Sequence, residues 1–321
     1  MAKEGPGRAM KTDSGANFAK PLFAISITPA ATDMENIFEL AKIADNSAID
    51  IVTIQDHPYL NNFLDAWTLL TSLATRTNRV KFMTNVADIP LRHPPILAKA
   101  AATLDILTGG RVELGVGAGA LWKGIAQYGG PTRSPGDAVQ AIEEAIQVIR
   151  AIWGFDSDEK VVTFRGKFYN LEGAHPGPRP RHRIGIWLGA MGPRMLNLLG
   201  RLGDGWVAPL QSYLPTSKLL DAQRVIDAGA VSTGRSPTSI RRGRNISGII
   251  DDEGKYGKSL RGHGEAVVGS VDDWVEELAY YHTHLRIDSF IFWPAEEGKE
   301  VDQVSLFADK VVPRVKEILD R

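Results

Sequence analysis

Asp56, His57 and Pro58 stand just past a β-branched run at residues 49–54. A histidine where a strand ends can donate a hydrogen bond or move a proton near neutral pH. The plainer reading is a loop histidine bonded to Asp56. Gly115, Gly117 and Ala120 fit the permissive dinucleotide fingerprint G-x-G-x-x-[GA] behind another strand-like run. That run is not the first of the chain, no short helix clearly opens there, and Asp137 falls at a helix start. The alternatives are a backbone at Gly117, Ala118 and Gly119 that admits a flat ligand closely, or an ordinary tight turn. Gly189, Ala190, Met191, Gly192 and Pro193 join a further strand to a helix. Free N–H groups at such a helix start suit a phosphate; plain turn chemistry is the alternative. Trp122, Trp187 and Trp293 fall at or near strand ends, where they wall an aromatic substrate pocket or fill core. His282 and His284, two apart, point in different directions on a helix and make a poor metal pair, and H-E-x-x-H and G-x-S-x-G are absent. No metal site and no serine triad are expected. The arginines at 235, 241, 242 and 244 read as a solvated loop rim.

Alternating elements must carry these residues. Strand-like runs occur at residues 22–27, 49–54, 80–84, 111–116, 184–188, 205–207, 244–250 and 288–293. Helical spacing follows each, at a βα repeat of about 30 residues. Thr32 and Glu35 suggest a capping box ahead of the first helix. Gly109-Gly110 stops the third. A long amphipathic helix from Ser134-Pro135 and a hairpin turning at Gly166-Lys167 interrupt the rhythm. Eight strands in alternation predict an α/β protein, a (β/α)8 TIM barrel with residues 121–183 inserted after strand four; an open doubly wound sheet is the alternative. Residues 1–20 are expected as a mobile tail and 21–321 as one domain.

The 321 residues carry 37 basic and 38 acidic side chains, a net charge of -1 that argues against binding nucleic acid through bulk positive charge. There is no cysteine, which removes disulfides, thiolate catalysis and cysteine-held metal. No apolar run approaches the ~20 residues that span a bilayer, and the N-terminus lacks a signal peptide's apolar core. The expectation is a cytoplasmic protein with a small-molecule substrate and no membrane partner.

From Pro21 to Arg314 the chain resembles the luciferase-like flavin and deazaflavin oxidoreductases. The strongest match runs from Leu104 through Asp105, Gly109-Gly110-Arg111 and Gly115-Val116-Gly117 to Gly119. Pro90-Leu91-Arg92-His93-Pro94, Gly192-Pro193-Arg194-Met195-Leu196 and Gly203-Asp204-Gly205-Trp206 are also family-like. The resemblance implies a (β/α)8 barrel, usually a homodimer, with the cofactor ring at the C-terminal mouth. It implies a ring leaning on a bulge of the third strand, shaped by a cis peptide that falls here at Asn85–Val86. It places Asp56 and His57 beside the ring, and the cofactor phosphate on the turn from Gly189 to Pro193. The family's deazaflavin-dependent sugar-phosphate dehydrogenases carry a glutamate where this chain has Ala120. That departure argues against sugar-phosphate oxidation and leaves His57 as the proton-transfer candidate. The expected activity is hydride transfer between deazaflavin coenzyme F420 and a small organic substrate. The alternatives are an FMN-dependent monooxygenase and a flavin-binding barrel without turnover.

Overall fold

In the computed structural model, which describes residues 20–155, 160–260 and 266–319, eight parallel strands close on themselves. The residues expected as a mobile tail lie outside the described ones up to residue 19. The elements in chain order are β1 (Leu22–Ile27), α1 (Met34–Asp45), β2 (Ile51–Ile54), α2 (Ala66–Ala74), β3 (Lys81–Thr84), β4 (Ala87–Asp88), α3 (Pro94–Thr108), β5 (Val112–Gly117), α4 (Trp122–Gln127), α5 (Pro135–Trp153), β6 (Val162–Arg165), β7 (Asn170–Ala174), β8 (Ile186–Gly189), α6 (Pro193–Leu202), β9 (Gly205–Ala208), α7 (Leu219–Ser232), β10 (Arg241–Ile250), β11 (Val267–Gly269), α8 (Val271–Leu285), β12 (Ser289–Pro294), α9 (Glu300–Leu306) and α10 (Val312–Leu319). The ring order is β1, β2, β3, β5, β8, β9, β10, β12 and back to β1. There is no topological switch point, so the barrel stands and the open sheet falls.

Alternation along the strands divides the core in two. Ala24, Ile51, Met83, Trp187, Val207 and Ile291, one from each of six strands, form a layer inside the barrel. The opposite faces pack under the helices in a larger cluster that includes Phe23, Ile25, Val52, Phe82, Leu188 and Phe290. Helix stops follow local chemistry. Gly109 ends α3 at φ 71°, a conformation that a Cβ disfavours. Ser134 caps α5 by accepting from the Asp137 N–H, and Asp137 in turn binds Lys167. Asp137 therefore serves a helix start and a hairpin.

Within residues 121–183, α5 packs between α3 and α6 as a member of the outer ring. The elements extra to the βα rhythm are α4 and the antiparallel β6–β7 hairpin, which Glu144 ties to α5 through the N–H groups of Lys167, Phe168 and Tyr169.

Two local expectations are corrected. The N-cap of α1 is Asp33, with no side-chain cap bond, so Thr32 and Glu35 form no box; among the described residues a capping box is present at Ser270 with Asp273 on α8. At the C-terminus α9 runs on into α10 through a π turn at Phe307–Val311. Of the arginines expected on a solvated rim, Arg242 and Arg244 are buried, because β10 starts at Arg241 and turns them beneath the outer layer. Arg242 pairs with Asp227 at 2.5 Å, and Arg244 donates to the carbonyls of Pro209 and Leu214 at 2.6 and 2.7 Å.

Candidate active site

The C-terminal ends of β2, β3, β5 and β8 surround a cavity of about 190 Å3. Asp56, His57, Asn85, Val86, Gly117, Ala118, Gly119 and Gly189 line it, joined by Tyr59, Ala87, Asp88 and Ala120. A larger depression of about 510 Å3 lies on the outer surface beside α8, lined by Asp252, Asp272, Asp309 and Arg314 among others. Its lining comes from residues just past β10 and β11, the start of α8 and the last helical segments, outside the barrel ring. The mouth cavity instead joins the ends of four neighbouring barrel strands, where this fold gathers chemistry.

One wall is ionic. Asp56 is 2% exposed and accepts two bonds from Arg92, Nε at 3.0 Å and Nη2 at 2.7 Å, a bidentate pair. Nη2 of Arg92 also reaches Asp65 at 2.5 Å, and the Asp88 N–H donates to Asp56 Oδ2 at 3.1 Å. His57 is not bonded to Asp56. Its Nδ1 lies 2.7 Å from the Tyr59 hydroxyl, and among the described residues Nε2 has no partner. Burial lowers the His57 pKa and the Asp56 charge opposes this only in part, so the ring is neutral at pH 7. Tyr59 is pushed up to about 12 by burial and by the charges of Asp88 and Asp56, so its hydroxyl keeps its proton.

The opposite wall is a shelf. The Asn85–Val86 bond is cis. The glycines around it make room for this shelf first. A Cβ on Gly115 would lie 2.0 Å from the Thr84 carbonyl oxygen, and one on Gly117 would lie 2.6 Å from Val86 Cγ2. Gly119, at φ +93°, clears Ile125 and Pro90. Beneath the shelf, Asn85 Nδ2 donates to Asn245 Oδ1 at 2.8 Å, and Trp293 Nε1 donates to the same oxygen at 2.6 Å. Asn245 Nδ2 closes the network on the Ala208 carbonyl at 2.9 Å.

The three tryptophans part company. Trp293 is half-buried over Asn245. Trp122, also half-buried, opens α4 beside Gly119. Trp187 is 4% exposed in the inner barrel layer, its ring laid on Gly205. None of the three is among the residues lining the cavity. His282 binds the Ile287 carbonyl at 2.8 Å while His284 stacks on Tyr280, consistent with separate roles.

The turn from Gly189 to Pro193 leads from the cavity into α6. Ala190 is buried and its carbonyl accepts from Trp206 Nε1. Met191 is exposed, and Gly192 is the N-cap at φ −78°, an ordinary extended value. That backbone value does not require a glycine. Space around it is open: a Cβ added there would meet no atom within 4 Å. The N–H groups of Arg194 and Met195 have no capping partner among the described residues.

Sequence reasoning missed Tyr59, Asp88 and Asn245. The first two stand within three residues of quoted motifs; Asn245 is 160 positions from its partner Asn85 and left no local signal.

A closed eight-stranded barrel with its cavity at the C-terminal mouth defines an α/β-barrel protein of the enzyme type. The family model of the luciferase-like monooxygenases matches residues 18–255, and the chain belongs to that family. It is 32% identical over 217 residues to an F420-dependent glucose-6-phosphate dehydrogenase of Nocardia farcinica, covering 64% of this chain and 62% of that protein. It is 34% identical over 202 residues to a phthiodiolone/phenolphthiodiolone dimycocerosates ketoreductase of Mycobacterium tuberculosis, covering 60% and 49%. The matches thus span about half to three-fifths of these relatives. An F420-dependent secondary alcohol dehydrogenase, solved with an F420-acetone adduct, shares the fold at TM-score 0.78 and 20% identity, over 92% of this chain and 99% of that one.

Proposed function

We propose that this protein is an oxidoreductase that transfers a hydride between coenzyme F420 and a small organic substrate. The observation that carries this is the convergence on one cavity of a shelf at Asn85 and Val86 and a neutral His57 braced by Tyr59. The residues fit such a group. Val86, Gly117 and Gly189 offer a flat backbone wall to a ring, Ala118 and Gly119 continue it, and the uncapped N–H groups of Arg194 and Met195 offer an anion site next to Gly192 and Pro193. The two sequence relatives, an F420-dependent dehydrogenase and a ketoreductase, support redox chemistry of this kind. When bound, the deazaflavin supplies hydride exchange at C5.

The protein's own groups do the rest. Arg92 holds Asp56, and Asp56 holds the backbone at Asp88, so the ionic wall keeps its shape. His57, neutral and held at Nδ1, presents Nε2 to a substrate oxygen and orients that oxygen for protonation. Trp122, beside Gly119, and Trp293, bonded to Asn245, are the tryptophans placed to border a substrate; Trp187 supports the barrel from its inner layer.

The same proposal takes the protein as a cytoplasmic homodimer with a small-molecule substrate and neither nucleic-acid nor membrane partner. Exposed Ile96, Ile106 and Leu107 on α3 give a second copy apolar surface to cover. No helix among the described residues is long and apolar enough to cross a membrane.

Titration of the purified apoprotein with coenzyme F420 and with FMN, side by side, tests the cofactor. F420 should bind at least about tenfold tighter, a margin of about 1.4 kcal/mol. The reverse order makes it an FMN enzyme. Tight binding without hydride exchange across a substrate panel makes it a binding protein.

A further inference from the structure

Asp88 is the one cavity residue whose chemistry the site has not used. It ends β4, opposite Gly117 of β5, and is 5% exposed. Among the described residues no donor reaches either oxygen of its carboxyl group, and Oδ1 is sealed from solvent without a partner. Its own N–H is committed to Asp56 Oδ2. The nearest cations are engaged elsewhere or lie at a distance. Arg92 forks onto Asp56 and Asp65, and Arg133 stands over the rings of Phe168 and Tyr169. Two carboxyl groups thus share one corner, and the single guanidinium there binds only one of them.

A buried carboxylate with no donor and a like charge beside it is relieved by taking up a proton. We propose that Asp88 holds the dissociable proton of this site and delivers it to the oxygen of a neutral carbonyl substrate. This rests on the deazaflavin proposal above. The carbonyl carbon takes a hydride from the reduced deazaflavin, and its π electrons move to oxygen. The O–H of Asp88 breaks as the new O–H forms, leaving an alcohol, oxidised cofactor and the Asp88 carboxylate. In the reverse direction that carboxylate takes the proton back. The proton then sits on Asp88, and His57, neutral before and after, orients the substrate oxygen through Nε2.

The electrostatics agree with the geometry. Burial, then the Asp56 charge, pushes the Asp88 carboxyl up to about 7, against weaker pulls from Arg92 and Arg133. His57 shifts the other way and Tyr59 stays protonated, so the groups facing this corner from the loop after β2 leave Asp88 the acid at neutral pH. Ala120, on the same cavity, offers no competing carboxylate. A neutral acid suits an uncharged ketone; an anionic substrate would meet a second carboxylate once Asp88 ionised.

The test uses the full chain and Asp88→Asn, an isosteric change whose melting temperature is checked first. Difference infrared spectra of the apoprotein should show a carboxylic-acid C=O band that disappears on raising the pH, with a midpoint near 7, and that is missing from the variant. With reduced F420 and acetone or cyclohexanone, kcat/KM should fall above that midpoint. Asp88→Asn should lose turnover about 100-fold or more, lose that limb, and bind F420 within about threefold. His57→Ala should keep the limb. A carboxyl already ionised at about pH 5, or a variant retaining the limb, overturns the assignment. Bound F420 with neither ketone reduced overturns the carbonyl substrate. No binding of F420 overturns the cofactor proposal, and the infrared band then still decides where the proton sits.

Discussion

Trp293 Nε1, on β12, and Asn85 Nδ2, just past β3 across the barrel from β10, meet on one acceptor, Oδ1 of Asn245 on β10, at 2.6 and 2.8 Å. One amide oxygen therefore ties the cavity floor to the shelf residue. Asn245→Leu removes the acceptor of Trp293 Nε1, leaves Asn85 Nδ2 only Thr53 Oγ1 at 3.3 Å, and takes a donor from the Ala208 carbonyl. The expected cost is about 2–4 kcal/mol of stability, since each unsatisfied buried group costs about 1–3 kcal/mol. Denaturant melts measure it, and F420 affinity should drop about tenfold or more as the shelf loosens. A variant as stable and as tight-binding as the parent would show that the network positions nothing.

Gly117→Ala should destabilise the barrel by about 1–3 kcal/mol, because the added methyl meets Val86 Cγ2 at 2.6 Å. Trimming the neighbour in the double variant Gly117→Ala, Val86→Ala should recover most of that loss. A double-mutant cycle by chemical denaturation reads the coupling. Additive losses would mean that Val86 moves aside freely and that the glycine serves something else.

Gly192→Val separates binding from folding. Backbone φ at Gly192 is −78° and no protein atom lies within reach of a new Cβ, so thermal melts should show a stability loss of about 1 kcal/mol, the cost of a poorer N-cap. F420 binding should weaken by about 2 kcal/mol, since a branched side chain there crowds an anion on the amides of Arg194 and Met195. Unchanged affinity in a fluorescence titration would move the phosphate elsewhere.

His182 sets an alkaline limit. At the end of the barrel away from the cavity, its Nδ1 lies 2.9 Å from Asp105, and Glu113 stands 3.6 Å from Nε2. Asp105 first, then Glu113, raises its pKa to about 9. The folded value lies above the unfolded one, about 6.5. The contribution is therefore complete below about pH 6.5 and is lost as pH rises through 9. The melting temperature should fall between those values in the parent and stay flatter in His182→Asn. Equal slopes would remove His182 as the titrating group.

Much of this molecule was legible in local order along the chain. The β-branched runs and the helical spacing between them produced all eight barrel strands within a few residues, because strand and helix leave different periods in a sequence. Gly109 marked a helix end because only its φ of 71° was needed there. The residues at the strand ends, Asp56, His57, Asn85, Val86, Gly117 and Gly189, do share a cavity, since closing a parallel barrel brings every C-terminal strand end to one mouth. What a side chain does there was decided only by tertiary packing. His57 binds Tyr59 rather than the adjacent Asp56, because Arg92, 36 positions on from Asp56, claims that carboxylate. Trp187 lies inside the barrel because strand alternation points it inward, and Arg242 and Arg244 are buried because outer-layer packing covers β10. Asp88 looks like any loop aspartate in the sequence. Its lack of donors is set by burial and by which cations its neighbours occupy, and pairings between distant segments leave no period to read.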